Sequence, residues 1–453
     1  MTDSVPCPIM GAMNAPTPRQ PHRPHVRNAI LHLWRRAVVS QGFATDLISQ
    51  EFRRNRQLGS HDRREAAETL YSMLRNWRRL TWALGRFLQE GQSDELRDFA
   101  LYMAHCVTSG LVSPEGAAES FPGPDWAAVS RLDARIEAVG DPVTRFGLRH
   151  SLPDWLAAKL IDQLGDGAEA LAAALNQRAP LTVRANTLKV SRDELASRLL
   201  DEGVETTPTR HAPDGLHFAS HINAFALKSF REGLFEVQDE ASQLASLLVA
   251  PPPGSVVVDL CAGAGGKTLS IAAQLRNKGR VLALDVHSDR LKELVRRARR
   301  AGTSNVKSMQ IPPDVFPAPV EAMTGRIARV LVDVPCSGLG AMRRNPETRW
   351  RLKEEELGQL PPLQEAIARR GISLLGPGGR LVYATCTLFC EENEAVVERL
   401  LAADSSLEPV RITEIWGKDF ATPLCDPTGY YLKLFPHVHG TDGFFAAVLR
   451  KKR

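Results

Sequence analysis

The sequence has no paired Cys-x-x-Cys: its seven cysteines are scattered, and the closest two are Cys386 and Cys390. Thiolate zinc centres built from such pairs are therefore not expected, no metal is predicted, and unpaired thiols suit the reducing cytosol. No apolar run approaches the ~20 residues that span a bilayer, and no internal repeat is visible. The stretch Met1 to His25 is rich in proline and has no apolar core. It does not read as a signal peptide and is expected to be a disordered tail. Neither charge sign dominates: 57 Lys and Arg against 52 Asp and Glu leave +5. Arginine is clustered, however, and clustering matters more than the sum for nucleic acid. A chain of 453 residues that is 43% hydrophobic and 24% charged has the composition of a globular protein with two or three domains.

What the chain does have is a glycine-rich loop between an apolar run and an amphipathic one. Val256-Val-Val-Asp259 reads as a strand, Leu260 to Gly266 as a tight turn, and Leu269, Ile271, Ala272 and Leu275 as the buried stripe of a helix. Glycines let backbone approach a ligand, and a helix N-terminus offers oriented N–H groups. The loop fits neither G-x-G-x-x-G nor G-x-x-x-x-G-K-[ST]. Only one residue separates Gly263 from Gly265, so the four-residue cradle for a triphosphate is missing. An adenosine cofactor without phosphates fits better. Gly279 to Asp285 reads as the next strand, ending in a carboxylate about twenty residues after the glycines, where ribose hydroxyls are gripped. A helix N-cap is the other reading of Asp285.

Two more strands end in reactive residues. Arg329 to Asp333 runs into Val-Pro335-Cys336-Ser-Gly338, and Arg380 to Thr385, after a Gly376–Gly379 turn, runs into Cys386-Thr387. Ligands of open α/β sheets bind beyond the C-terminal strand ends, so the three loops should meet at one site. A free cysteine is commonly an inert apolar residue, but Cys336 and Cys386 both sit at strand ends beside turn formers. Cys261 and Cys390 read as loop packing and a helix start; Cys7, Cys106 and Cys425 have no telling context.

Elsewhere the pattern is helical from Arg27 to about Leu88, with a second helix starting near Asp62 and Glu65 three residues on as in a capping box. Arg53, Arg54, Arg56, Arg63, Arg64, Arg75, Arg78 and Arg79 crowd this region, as a solvated face or a phosphate-contacting surface. Trp34, Trp77 and Trp82 read as core. Gln89 to Asp141 is helical but poorly patterned, with a loop over 120–125. A strand over 180–189 and a helix opened by Ser191, Asp193 and Glu194 begin a small α/β unit that ends near Phe235. An apolar helix follows over Leu244 to Val249. The basic helix Arg290 to Ala301 reads as a solvated outer face. Leu432–Phe435 and Phe444–Leu449 read as a terminal antiparallel pair.

These motifs resemble the Sun/RsmB-type RNA cytosine-5 methyltransferases, which use S-adenosylmethionine. The likeness covers roughly Arg149 to Arg450. It rests on Arg184-Ala-Asn186-Thr-Leu-Lys, Val237-Gln-Asp-Glu-Ala-Ser, Asp259-Leu-Cys-Ala-Gly-Ala-Gly-Gly-Lys-Thr, Asp333-Val-Pro-Cys-Ser-Gly, Arg344-Asn-Pro-Glu, Tyr383-Ala-Thr-Cys-Thr with Glu391-Glu-Asn, and Asp442-Gly-Phe-Phe. The N-terminal part is similar to a NusB-type helical RNA-binding domain in its first half, and Gln89 to Asp141 departs from it. The resemblance implies a Rossmann-like class I methyltransferase sheet (236–453), a small α/β RNA-binding subdomain (146–235) and an all-α NusB-like domain (26–145) behind the tail.

It also implies roles. Cys386 is the nucleophile, Cys336 assists release, Asp333 meets the polar edge of the cytosine, and Lys267 is a candidate to lower the thiol pKa, with a surface lysine as its plainer reading. The cofactor falls to Asp259, Cys261, Gly263, Gly265, Gly266, Lys267, Asp285, Arg290, Asp314 and Asp333. Arg184, Asn186, Arg343, Arg344 and Asn345 are expected at RNA, with a loop salt bridge as the alternative for Arg343 and Arg344. Two departures stand out. Gly263-Ala-Gly-Gly replaces the family's common Ala-Pro-Gly-Gly, and the acidic residue expected to meet adenine is here Asp314, displaced by Pro312 and Pro313. The expectation is a cytoplasmic, ribosomal-RNA-directed enzyme making 5-methylcytosine, a monomer by default. Its rivals are a base methyltransferase acting on transfer RNA or DNA, with Cys336 as a possible nucleophile, and a non-catalytic RNA-binding assembly factor.

Overall fold

A computed structural model describes residues 21–39, 43–89 and 91–453, in two compact units, 1–157 and 158–453. Most of the expected tail, with Cys7, lies outside the described residues. Its last residues belong to the fold: His22 is buried with Nδ1 2.7 Å from the Tyr102 hydroxyl, and the first helix starts at Pro24.

The first unit is helical. Helix α1 (Pro24–Val39) buries Val26, Ala29, Ile30, Leu33, Trp34 and Ala37, one stripe at a 3.6-residue period. It packs with α2 (Ala44–Arg54), α3 (Ser60–Arg75), α4 (Trp77–Leu84) and α5 (Asp94–Thr108). Helix α3 begins two residues before Asp62. Asp62 sits on its first turn and accepts the Gly59 N–H (3.1 Å), so the expected cap residue acts from inside the helix. The poor patterning after Gln89 has a simple cause. Every residue of α5 from Ala100 to Val107 is buried, so no polar face marks the period. Trp34 is core, edge-on to Trp77, and donates its indole N–H to Asp98 (3.0 Å). The arginines divide. Arg78 bonds Asp154 and Arg79 bonds the Arg149 carbonyl, while Arg53, Arg54 and Arg56 are exposed.

The second unit holds both sheets. In the smaller, β1 (Thr182–Ala185) lies between β3 (Gly215–Phe218) and β4 (Phe235–Val237), with β2 (Thr206–Pro208) outside β3, all antiparallel. The intervening α6 (Arg192–Asp201) starts at Ser191, which forms a capping box with Glu194. Asp239 then caps α7 (Glu240–Leu247), drawing its start four residues ahead of the apolar run.

The larger sheet is formed by β5 (Val256–Asp259), β6 (Arg280–Asp285), β7 (Val306–Gln310), β8 (Ile327–Asp333), β9 (Leu375–Thr385), β10 (Leu407–Val410), β11 (Tyr431–Leu434) and β12 (Phe444–Lys451). Its order is β10-β12-β9-β8-β5-β6-β7, parallel from β9 to β7. Strand β12 runs antiparallel to β9 on one side and pairs with β11 and β10 on the other. The expected Gly376–Gly379 turn lies within β9 as an irregularity: the pairing jumps from Ile327↔Leu375 to Arg329↔Arg380. Helices α8 (Gly266–Gln274), α9 (Ser288–Ala301), α10 (Leu360–Leu374) and α11 (Glu394–Ala403) belong to this unit. Because β5, β8 and β9 are adjacent and parallel, their C-terminal loops share one edge of the sheet.

Candidate active site

Asp333, Cys336, Cys386, Lys267 and the glycine loop all come from that edge. Cys336 and Cys386 are free thiols with their sulfurs 3.4 Å apart. Lys267, on the first turn of α8, donates to Asp333 Oδ2 at 2.6 Å, and its ammonium lies 5.0 Å from the centre of the Phe444 ring. Burial opposes the lysine's charge. The Asp333 ion pair and hydrogen bond outweigh it, with Cys386 adding, and hold its pKa above the ordinary lysine value. Cys336 is pushed well above the usual thiol range by its bond to Cys386, by burial and by the charges of Cys386 and Glu392, against the Gly338 N–H.

The glycine loop is pinned from three sides. Gly263 has φ +53° and donates its N–H to Asp285 (2.7 Å), whose other oxygen accepts the His287 N–H (2.8 Å). Gly265, at φ +89°, presses on Leu294, where an added Cβ would fall 2.6 Å from the Leu294 Cγ. Arg297 donates to the Ala264 carbonyl (3.0 Å). Thr268 donates to Asp259 Oδ2 (2.6 Å), while Oδ1 is buried without a partner. Burial pushes the Asp259 pKa up to about 7, against the Thr268 bond. Cys261 is driven upward by burial and by Asp259, Asp333 and Asp285, an environment for an inert thiol.

Two other expected contacts are exposed. Arg290 is exposed on the first turn of α9, and Asp314 is exposed in the segment after β7, whose Pro312 and Val315 carbonyls accept from Arg370. The basic helix α9 is only partly a solvated face, since Arg297 and Arg300 both bond the buried Glu236.

The residues expected at RNA have these partners within the protein. Arg184 is 4% exposed and donates to Gln238 (2.7 Å); burial draws its pKa down to about 10, with Glu236 opposing. Asn186 spends its amide on the Gly233 and Ala301 carbonyls (2.8 and 2.7 Å). Asn186 thereby braces the small sheet, its amide N–H groups consumed by buried backbone carbonyls. For Arg343 and Arg344 the salt-bridge alternative is what forms. Arg343 Nε bonds Asp442 Oδ1 (2.6 Å), and Arg344 spans Asp442 Oδ2 (2.6 Å) and Asp239 Oδ2 (2.7 Å). Asn345 is half-buried beside them.

Family models match two stretches: 16S rRNA methyltransferase RsmB/F over residues 246–450, and the ferredoxin-like domain of RsmF/B-like methyltransferases over 152–224. The probable ribosomal RNA small subunit methyltransferase B of Synechocystis is 38% identical over 67% of this chain and 68% of its own length. The chain belongs to the RsmB/F family of rRNA methyltransferases. It is an enzyme of that family, and the mixed α/β fold with a Rossmann-like sheet is the family's. A mouse relative, a 28S rRNA (cytosine-C(5))-methyltransferase, is 32% identical over 67% of this chain and 39% of its own length. The crystal structure of PH0851 superposes with a TM-score of 0.79 and 26% identity, covering 95% of this chain and 99% of that one. Among the described residues, no helix is long and apolar enough to cross a membrane.

Within this RsmB/F-family site the sequence reading passed over the groups that hold the two thiols. Ser337 and Thr387 hydroxyls meet at 2.6 Å and join the cysteine loops directly. Glu392 Oε2 accepts the Ser337 N–H (3.0 Å) and the Gln364 amide (2.8 Å). Thr385 donates to Asn393 (2.5 Å), and Tyr383 to the Glu392 carbonyl (2.6 Å). Gly340 donates to the Cys386 carbonyl (2.9 Å) and accepts from Gly443 (2.9 Å); a Cβ on Gly340 would lie 2.1 Å from the Gly443 oxygen. Their signals in the sequence are the Glu391-Glu-Asn run and Asp442-Gly.

Proposed function

We propose that this protein methylates carbon 5 of a cytosine in ribosomal RNA, with Cys386 as covalent nucleophile. The reading is carried by the free thiols of Cys336 and Cys386, 3.4 Å apart beyond the ends of two neighbouring parallel strands. Carbon 5 of cytosine is a poor nucleophile. Addition of the Cys386 sulfur to carbon 6 forms an S–C bond and shifts the C5–C6 π pair into the ring, which makes carbon 5 reactive. Lys267 supports the attacking sulfur, and the Lys267–Asp333 pair faces the charge that builds in the ring. Transfer leaves a proton on carbon 5. With Cys336 assisting release, a base takes that proton, the C–H pair re-forms the double bond, and the C6–S pair returns to Cys386. The base must leave its stack to reach these groups.

S-adenosylmethionine, when bound, supplies an electrophilic methyl group. The residues fit it. Open space lies where a Cβ on Gly263 would project, so the backbone there is free to approach a ligand. Each oxygen of Asp285 keeps a lone pair for a ribose hydroxyl after its backbone bond. Asp259 Oδ1 is an acceptor for which the protein supplies no donor. The solved NSun6 structure from Pyrococcus horikoshii was determined with SFG. On this reading residues 26–145 are an RNA-targeting helical domain, 146–235 a small RNA-binding subdomain and 236–453 the catalytic domain of a monomeric cytoplasmic enzyme whose partner is RNA. Asp314 and Arg290 complete the cofactor set.

Replacing each cysteine by alanine separates the roles. Cys386→Ala is expected to abolish both the RNA adduct on a denaturing gel and 5-methylcytosine by nucleoside mass spectrometry. Cys336→Ala is expected to accumulate an adduct that does not resolve. Product formation by Cys386→Ala at the wild-type rate overturns the nucleophile assignment. Ribosomal RNA that keeps all its 5-methylcytosine in cells lacking the protein overturns the substrate.

A further inference from the structure

Glu392 is 1% exposed, and its two oxygens are unequal: Oε2 takes both hydrogen bonds, and Oε1 is buried with none. A buried carboxylate with an empty oxygen is unfavourable unless its charge has a use. Its Ser337 bond grips the residue next to Cys336. Gln364 fastens the same stretch again, donating to the Pro335 carbonyl (2.9 Å). The groups that titrate around Cys336 are Cys386 on the neighbouring loop, Glu392, and Tyr383 on β9, with Lys267 of α8 and Asp333 of β8 on the Cys386 side. Only Lys267 among these is cationic. It is bonded to Asp333 and carries the influence of Cys386, whereas Glu392 acts on Cys336.

We infer that Glu392 is a positioning residue for the thiol pair: it fixes the Cys336 loop beside Cys386, and its charge disfavours a thiolate at Cys336. This rests on the covalent reading above and goes beyond it, because it says what makes two adjacent cysteines unequal. The upward push on the Cys336 thiol agrees, with its Cys386 bond first and Glu392 contributing. The geometry also supplies a clean test. In Glu392→Gln the amide oxygen can occupy the Oε2 place and keep both hydrogen bonds, so the substitution removes charge and little else.

The experiment is alkylation of the full chain by iodoacetamide across pH, with peptide mass spectrometry reporting Cys336, in a Cys386→Ser background so that no second thiol titrates beside it. Adding Glu392→Gln is expected to lower the pH midpoint of Cys336 alkylation by about one unit, a tenfold faster reaction on the rising limb. A folded Glu392→Gln protein, judged by its thermal melt, with an unchanged midpoint overturns the inference. If the glutamine variant does not fold, Glu392→Asp decides. The carboxylate then retreats by one methylene, a smaller fall is expected, and no fall overturns it. No RNA or cofactor is present, so failure here leaves the methyltransfer reading standing. Conversely, a failed methylation assay leaves the thiol titration intact.

Discussion

Two ion-pair systems flank the same loops and are built differently. Arg343 and Arg344 face Asp239 and Asp442, and all four carboxylate oxygens are taken: both of Asp442 by the arginines, Asp239 Oδ2 by Arg344, and Asp239 Oδ1 by the N–H groups of Ala241 and Asp442. Lys267 and Asp333 share one bond, and the Asp333 side chain is 29% exposed. The first system has every carboxylate oxygen taken, so it can only hold. The second has a spare oxygen and access to solvent, so it can change partners as charge moves. A buried ion pair says little until its remaining valences are counted.

The largest effect should come from breaking the saturated system. Asp442→Ala leaves two guanidiniums with one carboxylate, and about 3–5 kcal/mol of stability should be lost. Thermal or urea unfolding measures it, and an unchanged midpoint would remove the holding role. Lys267→Met should do the opposite. Asp333 is wet enough to lose its partner with a change in stability of ~1 kcal/mol or less, while the methyl-transfer rate falls ~100-fold. Equal losses of stability in the two variants erase the distinction.

The smallest effect is a titration. Asp259 has its folded pKa raised to about 7 by burial, so its neutral form favours the fold. That stability is whole below the unfolded carboxylate value and is lost as pH rises through about 7. Between about pH 5.5 and pH 8 the loss is on the order of 2 kcal/mol. Asp259→Asn, which can still accept from Thr268, should flatten this slope in melts of the cofactor-free protein. A slope unchanged by the substitution shows that another group titrates.

The sheet edge was legible because its chemistry is local. Strand, glycine turn and helix stand together between Val256 and Leu275, and each cysteine follows its own strand, so topology alone brings them together. Long-range burial was not legible. Arg184 alternates as an exposed strand residue would, but the strand is covered on both faces and its partner Gln238 lies on another segment. Arg343 and Arg344 look like surface charge until Asp442, about a hundred residues later, arrives beside them. Helix α5 lost its pattern by being buried all round. Glu392 was visible as a motif, but its task depends on a contact with Ser337 that no spacing announces.

Strand β12 gives the order of events during synthesis a consequence. Asp442 and Gly443, just before it, fasten the Arg344 and Gly340 loops, and β12 itself covers the open edge of β9. These residues leave the ribosome more than about fifty residues after Cys386. A nascent chain thus exposes both thiols before the clamp that seats them exists, beside an unpaired strand edge of the kind other chains adhere to.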